Sequence, residues 1–538
     1  MTARAASEPT SPQRATTNAV ARERRYWVLA AVLLVQFIAV LSTTVVSTAS
    51  PRIVDDLHGL DLYAWIFTGY MLASAVTVPT VGKLSDLYGR RPFYIGGLAL
   101  FLAGSAISGL AQNMGELIAA RVVSGAGGGA MMALSAATIG DIFSPLERGR
   151  WMGLMMGVFG LGSIVGPAVG GVLTDHLGWR WVFYINLPFG LVALGMLAAL
   201  LPRMRLAGQP RIDGLGMLLL VAGLVPMLLA FTWAGVTYPW LSIQVTGGLA
   251  LGVLVLVLFL IYETRAAEPI LSPHLFENKV FRVAVIINFL VGMSLFGSLT
   301  FIPLYFQGVL GETAQNAGFV LAPLMVGFVL GSVAGGFLVS KTGRYKILAV
   351  VGMAVGAAGL WLMSRLDAGS SWSQAVAAMV VTGIGIGSVF PLMSVVVQSA
   401  FPYRMLGTAN SARQFFNNLG AVVGIPVMAT IVIETFQQEF PRRLPASAGR
   451  LAGMIGQAGS PGFFSGEGQS NLGARLTPLG PQVARQVLDA LHQSLALGIQ
   501  RAFVLSFVLG LLGLAAALFL PEIPLRSTVS DVEHEAQR

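Results

Sequence analysis

The sequence predicts an all-α membrane protein of fourteen spanning helices, arranged as two six-helix halves with an inserted helix pair between them. Three observations carry this expectation. The 538 residues are 55% hydrophobic and only 11% charged, with a mean hydropathy of +0.75, outside the range of soluble domains. Apolar runs of bilayer length recur along most of the chain, each close to the roughly 20 residues a spanning helix needs. A short charged loop early in the chain returns in altered form past its middle, as parallel repeats about the membrane normal require.

The apolar runs fall at 26–50, 63–82, 93–111, 117–140, 150–173, 181–201, 213–235, 241–262, 283–308, 316–339, 346–364, 374–399, 410–435 and 499–520. Residues 1–21 are polar and rich in Ala, Thr and Ser, the composition of a disordered tail. Arg22, Arg24 and Arg25 then precede the first run, whose small residues VSTAS (46–50) mimic a signal-peptide cleavage site. The run is too long for a signal core and many spans follow, so an uncleaved first helix is expected. An even number of spans puts both termini on one side, and 23 Lys and Arg lie on that side against 10 on the other. This bias places both termini in the cytoplasm of a plasma (inner) membrane protein.

The repeat is explicit. GKLSDLYGR (82–90) overlays GFLVSKTGR (336–344), aligning Gly82 with Gly336, Leu84 with Leu338, Gly89 with Gly343 and Arg90 with Arg344, while Asp86 falls opposite Ser340. The domains that follow are a cytoplasmic tail at 1–21, a first half at 22–205, two inserted helices at 206–270, a second half at 271–525 and a tail at 526–538. Residues 436–498 read as a loop outside the cytoplasm, with Pro441, Pro445, a Gly/Ser stretch from Gly456 to Gly468 and a short helix from about Pro481 to Gly498. Such a loop is either a lid or docking site for an envelope partner, or a variable solvated connection.

Composition narrows the chemistry. The net charge of +9 comes from basic residues in short loops rather than in a patch, so no nucleic-acid partner is expected. The absence of cysteine excludes disulfides and thiolate chemistry, and five scattered histidines lack any H-E-x-x-H spacing, so neither metal nor cofactor is expected. No nucleophile is paired with a base, which argues against a membrane-embedded enzyme.

The loop GKLSDLYGRRP (82–92) has a physical logic of its own. Gly82 lets two helices approach, Asp86 places a carboxylate at a helix end, Gly89 permits a tight turn, and Arg90 with Arg91 holds the loop in the cytoplasm. This stretch closely resembles the G-x-L-x-D-x-x-G-R-R/K loop between the second and third helices of major facilitator superfamily transporters. The resemblance extends from about Arg25 to Pro521. It implies that Asp86, Arg90 and Asp141 form a charge relay latching the two halves, with Gly82, Gly89 and Arg91 in the same gating loop. The partner of Asp86 is expected at the amino-terminal end of a helix starting near Asn410 and Ser411, whose dipole attracts a carboxylate.

Two further strings strengthen the resemblance. RVVSGAGGGA opens the fourth run with Arg121, and its glycines give a face that another helix can approach closely. It looks like the family's R-x-x-Q-G-x-G-x-A motif, in which the arginine is associated with proton transfer, although Ser124 replaces the glutamine. The competing reading has Arg121 snorkelling to the outer interface and pairing with Glu116. GSIVGPAVGG (162–171) places Gly162, Gly166 and Gly170 on one face, with Pro167 bending the helix and Gly171 following. It resembles the G-x-x-x-G-P-x-x-G-G signature of exporters in the superfamily.

One departure bears on substrate. Fourteen-span drug:proton antiporters show L-D-x-T in the first span, and here Ser42 stands at the acid's position. No Asp or Glu lies in the interior of any apolar run; the nearest, at run ends or in loops, are Asp55, Asp56, Asp61, Glu116, Asp141, Glu263, Glu312 and Glu434. A buried carboxylate is the usual counter-ion for a lipophilic cation and the usual carrier of a coupled proton. Neutral amphiphiles, lipids or anionic compounds therefore fit better than dications. Cavity candidates are Gln36, Ser42, Thr43, Thr44, Asn288, Gln307, Gln398 and Asn417, each of which can equally be a helix-packing contact. Coupled protons would involve Asp55, Asp56 or Glu434 near the outer face, with Arg121 modulating.

The expected function is secondary active export of lipophilic or amphiphilic compounds by alternating access, coupled to protons, of the multidrug antiporter type. The alternatives are a lipid exporter or uncoupled facilitator, and beyond these a receptor that binds an envelope partner without transporting.

Overall fold

The structure is a computed structural model describing residues 22–57, 62, 65–201, 213–235, 237–266, 269–310, 320–402, 405–445 and 481–522. Among these, fourteen helices are long and apolar enough to cross a membrane, and the only β pairing is an isolated bridge between Ala234 and Tyr238. The helices begin where the sequence supplies caps. Asn113 accepts from the Glu116 backbone at the start of the fourth span, and Ser144 with Glu147, and Ser371 with Gln374, form capping boxes on the fifth and twelfth. The sixth span is two pieces, Trp181–Tyr184 and Asn186–Leu200.

Small residues set the helix packing. Alanine-sized additions at Gly125 and Gly129 would strike the backbone of Tyr70 and Ser74, and one at Gly127 the backbone of Phe101, so the fourth span, Met114–Ile142, lies wedged between the second and third. In the second half, Gly327, Gly331 and Gly335 seat the tenth span against Val380, Ile384 and Ser388 of the twelfth in the same manner. The first six spans pack mainly among themselves, as do the last six, and the two groups meet where the fifth span touches the tenth and the second touches the thirteenth.

The inserted helices, Gly214–Trp233 and Ile243–Glu263, pack on each other through Gly223, Gly248 and Gly252. They lean on the seam between the groups: Trp233 meets Trp65 of the second span edge-on at 6.4 Å, and Trp240 donates to Thr430 of the thirteenth at 2.6 Å.

The last two helices differ from expectation. Leu406–Arg443 and Pro481–Leu518 each run 38 residues, so the stretch anticipated as a separate short helix at 481–498 is continuous with the final span, and residues 436–443 belong to the thirteenth. At about 1.5 Å per residue each is roughly 57 Å long, nearly twice the hydrocarbon thickness. They extend together on the face opposite the amino terminus, held by Arg443 donating to Gln493 at 2.9 Å and by Gly498 seated on the backbone of Val432. Residues 446–480 of the anticipated loop, including Gly456–Gly468, lie outside the described residues, as do the tails at 1–21 and 526–538.

Candidate functional site

The second span, Trp65–Tyr88, ends one residue before the third, Arg90–Leu110, begins. The turn between them is Gly89, at φ 91° and ψ 153°, a conformation that side-chain-bearing residues rarely adopt. This abrupt reversal puts Asp86, in the last turn of one helix, against Arg90, in the first turn of the next. Arg90 contacts the Asp86 carboxylate at 2.5 Å and, through Nε, Asp141 at 2.9 Å; all three side chains are more than nine-tenths buried. Its Nη1 also donates to Ser85 Oγ at 2.7 Å.

The Asp86 carboxylate also reaches across to the other group of helices. It accepts the backbone N–H of Gly407 at 3.1 Å, that of Thr408 at 2.6 Å and the Thr408 hydroxyl at 2.8 Å. A helix start leaves its first N–H groups without partners and carries a partial positive charge, so a carboxylate there is doubly favoured. The thirteenth helix begins at Leu406, one turn before the expected start near Asn410 and Ser411, because Gly407 and Thr408 find their acceptor in Asp86. Ser411 has another role: a Cβ on Gly82 would run into its side chain. Arg91 stands apart from this cluster and donates to the carbonyl of Ala198 at the end of the sixth span, where Arg24 also binds Leu200.

The repeat docks in the same fashion on the opposite side. Gly336, the counterpart of Gly82, lies against the backbone of Gly149, and Ser340, the counterpart of Asp86, accepts the backbone N–H of Arg150 at 3.0 Å. Each repeat thus grips the first turns of a helix in the other group, one with a carboxylate and one with a hydroxyl.

Between the groups lies a cavity of about 660 Å³, counting the space at its mouth. Its lining includes soft apolar groups, among them Met152, Met155, Phe159, Phe328 and Phe390. Interspersed with these are the polar groups of Gln36, Ser394, Arg413, Gln414, Asn417 and Asn418, with Arg413 over the Phe390 ring at 5.9 Å. No carboxylate lines it among the described residues. Arg413 is 3% exposed and donates to Asn288 at 2.8 Å, Asn410 at 3.3 Å and Gln414 at 3.4 Å.

The family model for the Major Facilitator Superfamily matches residues 32–425. The chain belongs to that superfamily. It is 34% identical to the Bacillus subtilis (strain 168) multidrug transporter protein MdtP over 532 residues, covering 96% of this chain and 97% of that one. It is 33% identical to Multidrug resistance protein 3 of the same organism, over 95% of this chain and 98% of that one. A more distant relative is the efflux pump FUS6 of Gibberella moniliformis (strain M3125 / FGSC 7600), 32% identical over 76% of this chain and 74% of that one. Among solved structures, the fold is similar to the proton:xylose symporter XylE (TM-score 0.62, 15% identity, 95% of this chain and 99% of that one) and to human MFSD10 (TM-score 0.59, 16% identity, 90% and 99%). The protein is therefore a multi-pass membrane transporter of the facilitator fold and not an enzyme.

Within this facilitator, the other residues singled out in the sequence separate by location. Gln36 and Asn417 line the cavity; Asn288 lies behind it, holding Arg413, and accepts from Asn417 Nδ2 through its own carbonyl at 3.0 Å. Gln398 bridges the groups, donating to Ala136 at 3.4 Å and to Ser394 at 3.2 Å. Ser42 is fully buried in helix packing, Thr43 bonds its own helix at Val40, and Gln307 is near the end of the ninth span; none of these three lines the cavity. The exporter-like string is a packing face for the first span: a Cβ at Gly162 would meet Val40, one at Gly166 Thr44 and one at Gly170 Thr48, while one at Gly171 would meet open space, and Pro167 lies within the helix.

Arg121 does not pair with Glu116, which caps its own helix through Gln112 and Asn113. Its guanidinium is buried over the ring of Tyr70 at 4.4 Å and donates to the carbonyl of Ile66 at 3.2 Å. Asp56 is half exposed and bound by Arg180 and Trp179, Glu434 is exposed, and the side chain of Asp55 lies outside the described residues. Sequence reasoning missed Arg413. Its signal was a polar stripe in NSARQFFNNLG, where Asn410, Arg413 and Asn417 share one helix face at i, i+3 and i+7.

Proposed function

We propose that this facilitator exports lipophilic and amphiphilic compounds from the cytoplasm across a plasma membrane, its two six-helix halves rocking about the central cavity. The carrying observation is the Asp86–Arg90–Asp141 cluster seated on the start of the thirteenth helix, which ties the two halves at the amino-terminal face. In this reading that cluster is a latch, both termini are cytoplasmic, and the conformation is the one closed to the cytoplasm. Export is supported by the likeness to proteins named as multidrug transporters and efflux pumps, and by the glycine face of the fifth span. Loading proteoliposomes with a lipophilic dye and following its movement tests the proposal: net movement above empty liposomes is expected, and its absence would overturn it.

The coupling ion is a separate matter. A cavity without a carboxylate favours transport in which substrate charge or gradient, rather than a proton taken up beside the substrate, drives the cycle. An imposed pH gradient is accordingly expected to change the rate of dye movement less than twofold. A larger acceleration would return proton coupling to groups outside the cavity, with Asp56, Glu434 and Arg121 the first to substitute.

The segment 446–480 joins two helices that already hold each other, so transport does not need it in this reading. Replacing it with roughly fifteen Gly/Ser residues, ample to cover the roughly 18 Å by which the last helix outreaches its neighbour, should leave dye transport within about twofold. Complete loss with normal membrane insertion would instead favour a docking role for that segment.

A further inference from the structure

Arg413 is the one charged group in the cavity wall, and among the described residues no carboxylate forms an ion pair with it. Its three acceptors, Asn288, Asn410 and Gln414, are neutral amides, which fix the plane of the guanidinium without cancelling its charge. A guanidinium carries five N–H donors, so two remain unspent on a side chain that faces the cavity. Arg121 is as deeply buried but stands outside the cavity wall, its charge covered by the Tyr70 ring. Arg413 has the Phe390 ring at 5.9 Å but no counter-charge among the described residues, and holding such a cation within a membrane-spanning helix is costly unless something neutralises it for part of the working cycle.

We infer that Arg413 is the anchor for the head group of an anionic amphiphile, a carboxylate, sulfonate or phosphate monoester carried on an apolar, aromatic-rich body. The inference rests on reading this cavity as the substrate site. The head would take the free N–H donors of Arg413 as a forked, charge-assisted pair. Gln36 and Asn418 are the neighbouring groups able to donate to its remaining oxygen lone pairs. The body would lie on the wall of Phe159, Phe328 and Phe390, whose rings follow one another at 6.1 and 6.0 Å, with methionine thioethers filling the irregular space between. A lipophilic cation would meet an uncancelled like charge in a low-dielectric space and is disfavoured.

The test compares two probes that differ by one sulfonate, neutral N-phenyl-1-naphthylamine and anionic 8-anilino-1-naphthalenesulfonate, by equilibrium binding to the full chain in phosphatidylcholine nanodiscs. The wild type is expected to bind the anion at least tenfold tighter. Arg413→Gln should weaken anion binding by about ten- to a hundredfold while leaving the neutral probe within twofold, which also reports that the cavity is intact. An unchanged ratio between the probes would overturn the inference. Should Arg413→Gln bind neither probe, Ser394→Asp decides. Ser394 and Arg413 both bond the Asn410 side-chain oxygen, at 3.0 and 3.3 Å, so a carboxylate there would neutralise the arginine in place. Loss of the anion preference in Ser394→Asp supports the inference, and its persistence refutes it. Adding phosphatidylglycerol to the nanodiscs separates the two sources of such an anion: weaker sulfonate binding marks a membrane lipid as occupant, and unchanged binding marks a soluble one. Because binding is read without transport, a protein that binds the sulfonate but moves no dye would overturn the export reading and leave this site standing.

Discussion

Replacing Asp86 with asparagine is expected to lower dye transport at least tenfold with the protein still inserted and folded. The substitution keeps the shape and one acceptor for the N–H groups of Gly407 and Thr408. It removes the charge that pairs with Arg90 and faces the helix start. Breaking a buried ion pair costs about 3–5 kcal/mol, and the cost falls on the state in which these groups are buried together. Water solvates them when the face opens, so the penalty shifts the balance between the two states by about two to four powers of ten. Helix packing elsewhere is untouched. Asp56→Asn is the control, because Asp56 is half exposed and its pair with Arg180 is worth about 1 kcal/mol at most. Transport by Asp86→Asn within twofold of wild type, measured as initial rate per inserted protein, would remove the latch from the mechanism.

Gly82→Val is expected to cost transport by a comparable factor for a steric reason. The added side chain would occupy the space of Ser411, whose buried hydroxyl has no hydrogen-bond partner among the described residues. Closing the amino-terminal face would then require the second and thirteenth helices to separate, and packed interfaces resist such expansion. The missing partner makes a rescue possible: Ser411→Gly sacrifices no hydrogen bond and clears most of the collision, so the double variant should regain a substantial part of the rate. The mirrored change, Gly336→Val, meets the backbone of Gly149 and has no such remedy. Rates for the four variants decide the point, and a double variant no better than Gly82→Val would mean that close approach at this position is not what transport requires.

Much of this was legible in the chain because it is written in short-range patterns. Fourteen apolar runs, a Gly-bearing charged loop and its degenerate repeat fix helix number, the turn at Gly89 and the meeting of Asp86 with Arg90, all of which depend on neighbours in sequence. Helix ends were read less well, since they depend on partners far along the chain. The thirteenth helix starts at Leu406 because Asp86, more than three hundred residues earlier, accepts its first N–H groups. That same displacement hid Arg413: with a start at 410 it reads as one more interfacial charge, whereas with a start at 406 it sits two turns in and faces the cavity. A hydroxyl such as that of Thr43 carries no sign of which way it points, and a helix carbonyl satisfies it as readily as a ligand does.

The distance between the halves at the amino-terminal face reports whether Asp86 holds them together. The chain has no cysteine, so Arg150→Cys and Thr342→Cys, both exposed and on opposite sides of the seam, can carry spin labels without further engineering. Pulsed electron–electron distance measurement in nanodiscs should give a dominant short distance with Asp86 present. A longer distance should dominate once Asp86→Asn is added. A distribution that Asp86→Asn leaves unchanged would contradict the claim that this carboxylate holds the two halves together.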